Sequence, residues 1–535
     1  MEPLDLRKAL EDPSVLPGGA APDAVLETHV SVLAFCGERV FKLKKAVDLG
    51  FVDQRSLAQQ RHFASEELRL NARLSPDLYV GLAELRRGPD GLRLCGPGDG
   101  SPGEAVAVGI EMRRLPLEGM LDRKLDRGEI DNRLLGRLAE RLAGFHAEAE
   151  RGPEVDACAS LEVISKNALD NFEATRAAVG DVVDSGETLV APALHAHLEA
   201  WTRAFLERER ERFERRVHQG RAVDGHGDLH AGNVCVDDER LWIYDCVEFE
   251  PAFRRGDPAC DLAFLCMDID RGGYRAFARF LAKRYADLAD DPELLALLPF
   301  YKVYRALVRA KVDGFVALDG ERAAADRAAA VERAREHFGL AASYTLPPAL
   351  VLTCGLPATG KSWIARRLAA RLGGGLHRSD VVRKQLAGVP VTTRREGGYD
   401  EGLYTPENKQ RTYDALLDYA RTDLGDGRSA IVDGSFLSRK WREPFAALAD
   451  ELGAPLVLVH MHADVETVKR RIEERLRDPN EPSEADFEVY LQLAQQVELP
   501  TELDPAQHLE LESGGSVGAA VQQLLERVLV QTSGG

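Results

Sequence analysis

Two clusters of residues in this 535-residue chain have the types and spacing that phosphate chemistry needs. The tighter one is Gly355-Leu356-Pro357-Ala358-Thr359-Gly360-Lys361-Ser362, a G-x-x-x-x-G-K-S loop. An apolar run, Val351-Leu352-Thr353-Cys354, enters it, and Trp363 to Leu372 leaves it with helical spacing. That order is strand, glycine-rich turn, helix. Gly355 and Gly360 let the backbone bend so that successive N–H groups point inward at a phosphate. The N-terminus of the following helix adds partial positive charge at the same spot. Lys361 brings a full charge to the β- and γ-phosphates, and the Ser362 hydroxyl is a ligand for Mg²⁺. The motif predicts a nucleoside triphosphate site.

The second cluster is Asp228, Asn233 and Asp245. Asp228 and Asn233 lie five positions apart across a loop, and Asp245 ends the second strand of the hairpin that follows, whose turn is expected at Asp238-Glu239. One carboxylate can accept a proton from an attacking hydroxyl. An amide oxygen and another carboxylate are hard oxygen ligands for Mg²⁺. His226-Gly227-Asp228 followed by Asn233 has the interval of a kinase-type catalytic loop.

The region after the glycine-rich loop carries further acids and arginines. Asp380 follows the predicted strand at 375–378 and would face the γ-phosphate, where an acid orients and deprotonates an acceptor hydroxyl. Arg383, one helical turn on, is placed to grip an anionic substrate. Asp433 ends Ser429-Ala430-Ile431-Val432 in the position of a second Mg²⁺ ligand. Lys469, Arg470, Arg471, Arg475 and Arg477 crowd one helix before the turn Asp478-Pro479-Asn480-Glu481-Pro482. That suits a lid bringing Arg471 and Arg475 to the phosphate, and equally a solvated helix face.

These residues need positioning elements. Residues 24–47 alternate as strands, with runs at Val30–Phe35 and Arg39–Lys44, and a helix follows from about Ser56 to Leu74. More strand is predicted near Tyr79–Leu82 and Val106–Ile110, separated by Gly/Pro/Asp turn material. From about Leu121 to Gly220 the pattern is helical. Helices resume from Asp257 to about Phe338, and Pro347-Pro348 closes a linker. Strands predicted at 349–354, 375–378, 429–433 and 455–461 alternate with helices, which means a parallel sheet.

Bulk properties bound the rest. A chain of this length holds several cores. A hydrophobic content of 44% with 29% charged residues is that of a globular protein. The net charge of −19 disfavours a broad nucleic-acid-binding surface without excluding a local basic groove. The eight cysteines form no C-x-x-C, and no Cys/His cluster has zinc spacing. No stretch approaches ~18 uninterrupted apolar residues, so no membrane span is predicted. The N-terminus has no apolar signal core, and a cytoplasmic protein is expected.

The segment His226-Gly227-Asp228-Leu229-His230-Ala231-Gly232-Asn233 resembles the H-G-D-x-H-x-x-N pattern of the aminoglycoside phosphotransferase family of kinase-like enzymes. The resemblance implies Asp228 as base, Asn233 and Asp245 as metal ligands, and Asp261 as a mainly structural acid at the helix start behind the loop. It also requires a strand lysine paired with a helix glutamate. Lys42 and Glu67 fit, with Lys44 and Glu66 as competitors. There is no G-x-G-x-x-G loop in the first forty residues, so Thr28-His29-Val30-Ser31 would cover the phosphates, and Glu111-Met112 stands where adenine would be met. Asp245-Cys246-Val247-Glu248 replaces D-F-G, with Glu248 either a metal ligand or an exposed acid.

The C-terminal part resembles P-loop kinases of the gluconate kinase, polynucleotide kinase and zeta-toxin kind, on Gly355 to Ser362, Asp380 and Arg383. In order and motifs nearly the whole chain resembles a bacterial fusion described as a bifunctional aminoglycoside phosphotransferase and ATP-binding protein. Val40–Lys45, Asp245–Phe264 and Ser483–Asp486 share that likeness. The implied fold is a two-lobed kinase-like α+β domain over 1–342 (small lobe about 1–112, helical large lobe about 113–342), a linker at 343–348, and a parallel α/β P-loop domain over 349–535. The implied activity is transfer of the ATP γ-phosphate, with Mg²⁺, to small-molecule hydroxyl acceptors at two sites. The alternatives are a polynucleotide 5′-kinase in the P-loop half, or one half serving as a nucleotide sensor.

Overall fold

The structure is a computed structural model that describes residues 5–50, 52–180, 188–237, 240–391, 405–477 and 486–533. The hairpin turn expected at 238–239, the turn expected at 478–482, and residues 483–485 lie outside the described residues. The chain folds into two compact units. The first comprises residues 1–165, 209–268 and 277–298, the second 166–208, 269–276 and 299–535. By packing, the helices of 299–343 group with the glycine-rich loop in the second unit.

The first unit opens with β1 (Ala24–Glu27), β2 (Ser31–Cys36), β3 (Arg39–Lys44), β4 (Tyr79–Gly88), β5 (Gly91–Cys95) and β6 (Glu104–Arg113). They form one antiparallel sheet in the order β1-β2-β3-β6-β4-β5. Side chains alternate across a strand, and β3 uses both faces. Phe41 and Leu43 enter an apolar cluster with Leu6, Leu10, Val32 and Leu85. Val40 packs on the other face with Ala64 of the Leu57–Asn71 helix. Lys42 and Lys44 share that second face. Ser56 starts the helix through a capping box with Gln59, which fixes its register. Beyond the sheet the unit is helical apart from two small antiparallel pairs. β7 (Val223–Asp224) pairs with β10 (Arg255–Gly256), and β8 (Val234–Val236) forms a hairpin with β9 (Leu241–Ile243). Arg216 is buried there between Asp257 (2.5 Å) and Asp291 (2.7 Å).

The second unit is built on β11 (Leu350–Cys354), β12 (Gly375–Arg378), β13 (Ala430–Asp433), β14 (Leu456–His462) and β15 (His508–Glu512). All pair in parallel, in the order β12-β13-β11-β14-β15. All five residues of β11 are buried, as a central parallel strand requires. On one face Leu350, Leu352 and Cys354 pack with Tyr413, Leu416, Phe445 and Leu448 from the helices Pro406–Gly425 and Arg439–Leu452. The Lys361–Leu372 and Val517–Ser533 helices pack with each other and against strands of the sheet. The Ala324–Ser343 helix joins them. Gln522 of the last helix donates to the carbonyls of Leu189 (3.0 Å) and Arg335 (3.2 Å). β5, β7, β10 and β15 are additional to the strands that the sequence pattern predicts. Among the described residues no helix is long and apolar enough to cross a membrane.

Candidate active sites

In the first unit the period of two along β3 aims Lys42 and Lys44 at the same helix. Lys42 Nζ lies 2.8 Å from Glu67 Oε1 and 2.5 Å from Asp245 Oδ1. Lys44 Nζ lies 2.6 Å from Glu67 Oε2 and 2.5 Å from Glu248 Oε1. Glu67 thus holds one lysine on each carboxylate oxygen, whereas Glu66 faces outward and pairs with Arg69 at 2.7 Å. Of the competing assignments, Glu67 is the helix partner and both lysines reach it. Burial pulls the Lys42 ammonium down, but Asp245, Glu67 and Glu248 outweigh it and hold it well above the usual lysine range. Burial pushes Glu67 up, yet the two lysines overcome this and keep it below the ordinary carboxylate range. Glu248 goes the other way, raised by burial and by repulsion from Glu67 against the pull of Lys44.

The His226–Asn233 loop is fixed from behind. Asp261 accepts the backbone N–H groups of His226 (2.7 Å) and Gly227 (2.8 Å) and also meets His146 (3.3 Å), so its role is structural. Gly227 has φ +84°, and a Cβ there would come within 2.8 Å of Arg254. The Asp228 N–H donates to His226 Nδ1 (3.2 Å), which leaves the proton on Nε2, where it meets the Tyr244 carbonyl (3.1 Å). Burial lowers this imidazole's pKa despite Asp261, Asp228 and Asp245 nearby, so it stays neutral. Asn233 Nδ2 sits 3.0 Å from the Asp228 carbonyl and 3.3 Å from Asp228 Oδ2. Asp245 adopts φ +64°, a left-handed conformation costing about 1–3 kcal/mol in a non-glycine residue. Its N–H reaches the Tyr79 hydroxyl at 3.3 Å. The Asp228 and Asp245 side chains are 38% and 42% exposed, whereas Lys44 and Glu67 are buried and Lys42 is nearly so. The site therefore presents two accessible acids, one of them tied to a fixed network of paired lysines and carboxylates.

In the second unit the loop from Gly355 to Gly360 joins β11 to the Lys361–Leu372 helix. Gly355, Ala358 and Gly360 have φ of +136°, +63° and +100°. Lys361 Nζ donates back across the loop to the Leu356 carbonyl (2.6 Å), and the Thr359 hydroxyl donates to the same oxygen (2.8 Å). Burial lowers the Lys361 pKa; Asp433 and Asp380 oppose this and Arg475 adds to it, so all three lie within its electrostatic reach. Ser362 occupies the first turn of the same helix. Asp433 is buried at the end of β13. It accepts from the Thr353 hydroxyl (3.1 Å) and faces Arg378 Nε (3.3 Å). Arg383 turns onto Asp380 (2.8 Å), its neighbour one helical turn back. Arg471 reaches the loop itself, donating to the Ala358 carbonyl (3.3 Å) and the Ser513 hydroxyl (2.6 Å). Tyr79, Arg378 and Ser513 are contributors that sequence spacing does not reveal, since each meets its partner only across the fold. The Lys44–Glu248 pair had a signal in the K-x-K spacing of β3.

Two family models match the chain, a phosphotransferase enzyme family over residues 58–298 and an AAA domain over residues 350–500. The uncharacterized protein Rv2004c of Mycobacterium tuberculosis (strain H37Rv) is 32% identical over 449 residues, 84% of this chain and 85% of that protein. The chain belongs to this family of joined phosphotransferase and P-loop proteins. The uncharacterized protein Mb2027c of Mycobacterium bovis matches to the same extent. Among solved structures, a gluconokinase from Sinorhizobium meliloti 1021 is 16% identical with a TM-score of 0.26, covering 35% of this chain and 95% of its own. Chaetomium thermophilum Kti12 in complex with ADP-AlF3 is 18% identical with a TM-score of 0.27, covering 34% and 98%. The phosphotransferase match takes in Glu67, Asp228, Asn233 and Asp245 and begins after Lys42. The AAA match takes in Gly355 through Arg475 and ends before β15. Both domains are of kinase-like families, and such domains imply use of ATP.

Proposed function

We propose that the protein is an ATP- and Mg²⁺-dependent phosphotransferase with two sites, each passing the γ-phosphoryl group to a hydroxyl of a small-molecule acceptor of the sugar or aminoglycoside type. The observation that carries this reading is Lys42 held between Glu67 and Asp245, with Asp245 and the accessible Asp228 both in electrostatic reach of His226. A largely enclosed ammonium on paired carboxylates suits triphosphate binding, and an accessible carboxylate on the same catalytic loop suits an incoming alcohol. The donor sets fit the group. Asp245 and Asn233 offer hard oxygens, as Mg²⁺ prefers. At the P-loop a Cβ on Gly355 would come 2.6 Å from the Met461 carbonyl, so the loop backbone already packs tightly on its protein side.

Bound Mg²⁺·ATP supplies the transferable phosphoryl group and neutralises its charge. Asp228 takes the proton of the acceptor hydroxyl, and Asn233 and Asp245 hold the metal. Lys42 and, in the P-loop domain, Lys361 hold the phosphates while Ser362 and Asp433 complete the metal site. Asp380 plays the part of Asp228, with Arg383 orienting it. Arg471 and Arg475 sit beside Lys361 as counter-charge.

The test is transfer of γ-labelled phosphate to a panel of sugar and aminoglycoside-like alcohols. Asp228→Asn or Lys42→Met should lower one set of products, and Asp380→Asn or Lys361→Ala the other. Loss of a positioned base costs ~10²- to 10⁴-fold. If all four variants keep the wild-type rate, the reading is wrong. Labelling of 5′-hydroxyl oligonucleotides in place of small alcohols would move the P-loop domain to a polynucleotide acceptor.

A further inference from the structure

The parallel pairing of β14 with β15 aligns His460 with Glu510 and Leu458 with His508. Residues opposite one another in a sheet project to the same face, and the period of two keeps His462 and His508 on that face as well. One ligand atom from each of His460, His508 and Glu510 lies within 4.8 Å of the other two. The His462 ring centroid is 4.2 Å from that of His460, and the His508 centroid is 5.7 Å from it. His460 is only 8% exposed. Among the described residues His460 Nδ1, His462 Nε2 and His508 Nε2 are buried without any hydrogen-bond partner. Buried polar atoms are nearly always paired, and leaving one unpaired costs about 1–3 kcal/mol. Three unpaired imidazole nitrogens at one place need a reason.

We propose that His460, His508 and Glu510 bind one divalent transition-metal ion of the zinc class, with His462 beside the fourth coordination position. Imidazole nitrogen with a carboxylate oxygen is a donor set suited to zinc, whereas Ca²⁺ and Mg²⁺ select all-oxygen sites. The imidazoles are ready as ligands. Burial, with help from His462 and His508, pushes His460 down to about 4, and burial lowers His508 against the pull of Glu510. Both therefore offer lone pairs at neutral pH. Arg442 and Arg527 are the cations in electrostatic reach, and Arg442 is already tied to Glu502 at 2.5 Å. The ligands come from positions 460, 508 and 510, too far apart in the chain for any spacing motif to show them.

The ion would act as a clasp. β15 is the edge strand, and an ion shared with β14 pins it there. The ends of these strands lead to the phosphate loop: the Ser513 N–H donates to the His462 carbonyl (2.8 Å), and the Ser513 hydroxyl holds Arg471, which reaches Ala358.

The experiment uses the full-length, tag-free chain, stripped with chelator and titrated with Zn²⁺ alone by calorimetry, and with Co²⁺ alone by visible absorption. One Zn²⁺ per chain should bind and raise the thermal midpoint, and Co²⁺ should develop the absorption of a low-coordinate site. Loss of an outer-shell partner weakens a metal site ~10- to 100-fold, so His508→Gln should weaken binding by at least that and abolish the thermal shift. Glu510→Gln alters an exposed side chain, leaves the apo fold unaffected, and should also weaken binding; it decides the matter if His508→Gln does not fold. The proposal is overturned if the wild-type chain binds no Zn²⁺, or if Glu510→Gln and any folded His508→Gln bind it as the wild type does.

Discussion

Exchanging Glu67 for glutamine removes one negative charge from the middle of the Lys42/Lys44 network without changing its shape. Glu67 is fully buried and contacts an ammonium at 2.8 and at 2.6 Å. Removing one partner of a buried ion pair typically costs ~3–5 kcal/mol. Here each lysine keeps a second carboxylate, Asp245 for Lys42 and Glu248 for Lys44, so the lower end, ~3 kcal/mol, applies. Glu248 also loses the repulsion that raises its pKa, which moderates the loss further. The control is Glu66→Gln next door, whose partner Arg69 is 54% exposed; it should cost no more than ~0.5 kcal/mol. Trp242 is the one tryptophan of the first unit, since Trp201, Trp363 and Trp441 belong to the second. A chain with those three changed to phenylalanine reports the first unit by fluorescence in urea. With a slope of ~2–3 kcal/mol/M, Glu67→Gln should move the midpoint down by roughly 1 M and Glu66→Gln by roughly 0.2 M or less. Equal shifts would mean that the helix presents a different edge to β3, and the account of the lysine pair would be wrong.

Gly355→Ala should abolish ATP binding to the P-loop domain in calorimetry, because φ is +136° and the new methyl would lie 2.6 Å from the Met461 carbonyl. Gly453→Ala, at φ +61° with nothing within 4 Å, should cost ~1 kcal/mol of stability and leave nucleotide binding alone. Arg216→Met leaves Asp257 and Asp291 buried without their shared cation, and the Trp242 signal should show a loss of ~3–5 kcal/mol. Stability should also fall in mild acid. Burial depresses the His226 and His337 pKa values in the folded chain, while the unfolded chain takes up protons near ~6.5. Their contribution is therefore complete above about pH 6.5 and is lost as pH falls toward the folded-state values. Urea midpoints at pH 7.5 and 5.5 should differ in that sense, and by less in His226→Gln.

The parts of the fold set by local pattern were legible in the sequence. The strand before Gly355, the helix after it and the β8–β9 hairpin beside Asp228 all stand at or within a few residues of where the apolar spacing put them. What depends on register between distant segments was not. Whether Glu66 or Glu67 meets the strand lysines turns on which edge of the helix packs down, and a capping box decides that only in three dimensions. Arg378 opposes Asp433 because β12 lies next to β13, with those two residues paired. β15 escaped because its alternation, His508-Leu509-Glu510-Leu511-Glu512, is short and polar on one face, and its partner β14 is over forty residues earlier. The placement of 299–343 likewise depends on a packing partner, the Val517–Ser533 helix, that comes at the far end of the chain.

That last arrangement has a consequence for how the polypeptide is made. Its first unit is complete once residue 298 has emerged from the ribosome. Residues of 166–208 appear long before, yet their neighbours include Gln522, bonded to Leu189 from 333 positions further on. Until the Val517–Ser533 helix is made, the Pro192–Arg208 helix lacks that packing partner. Expressing residues 349–535 alone reverses the problem, leaving the tail without the helices it was shaped to meet.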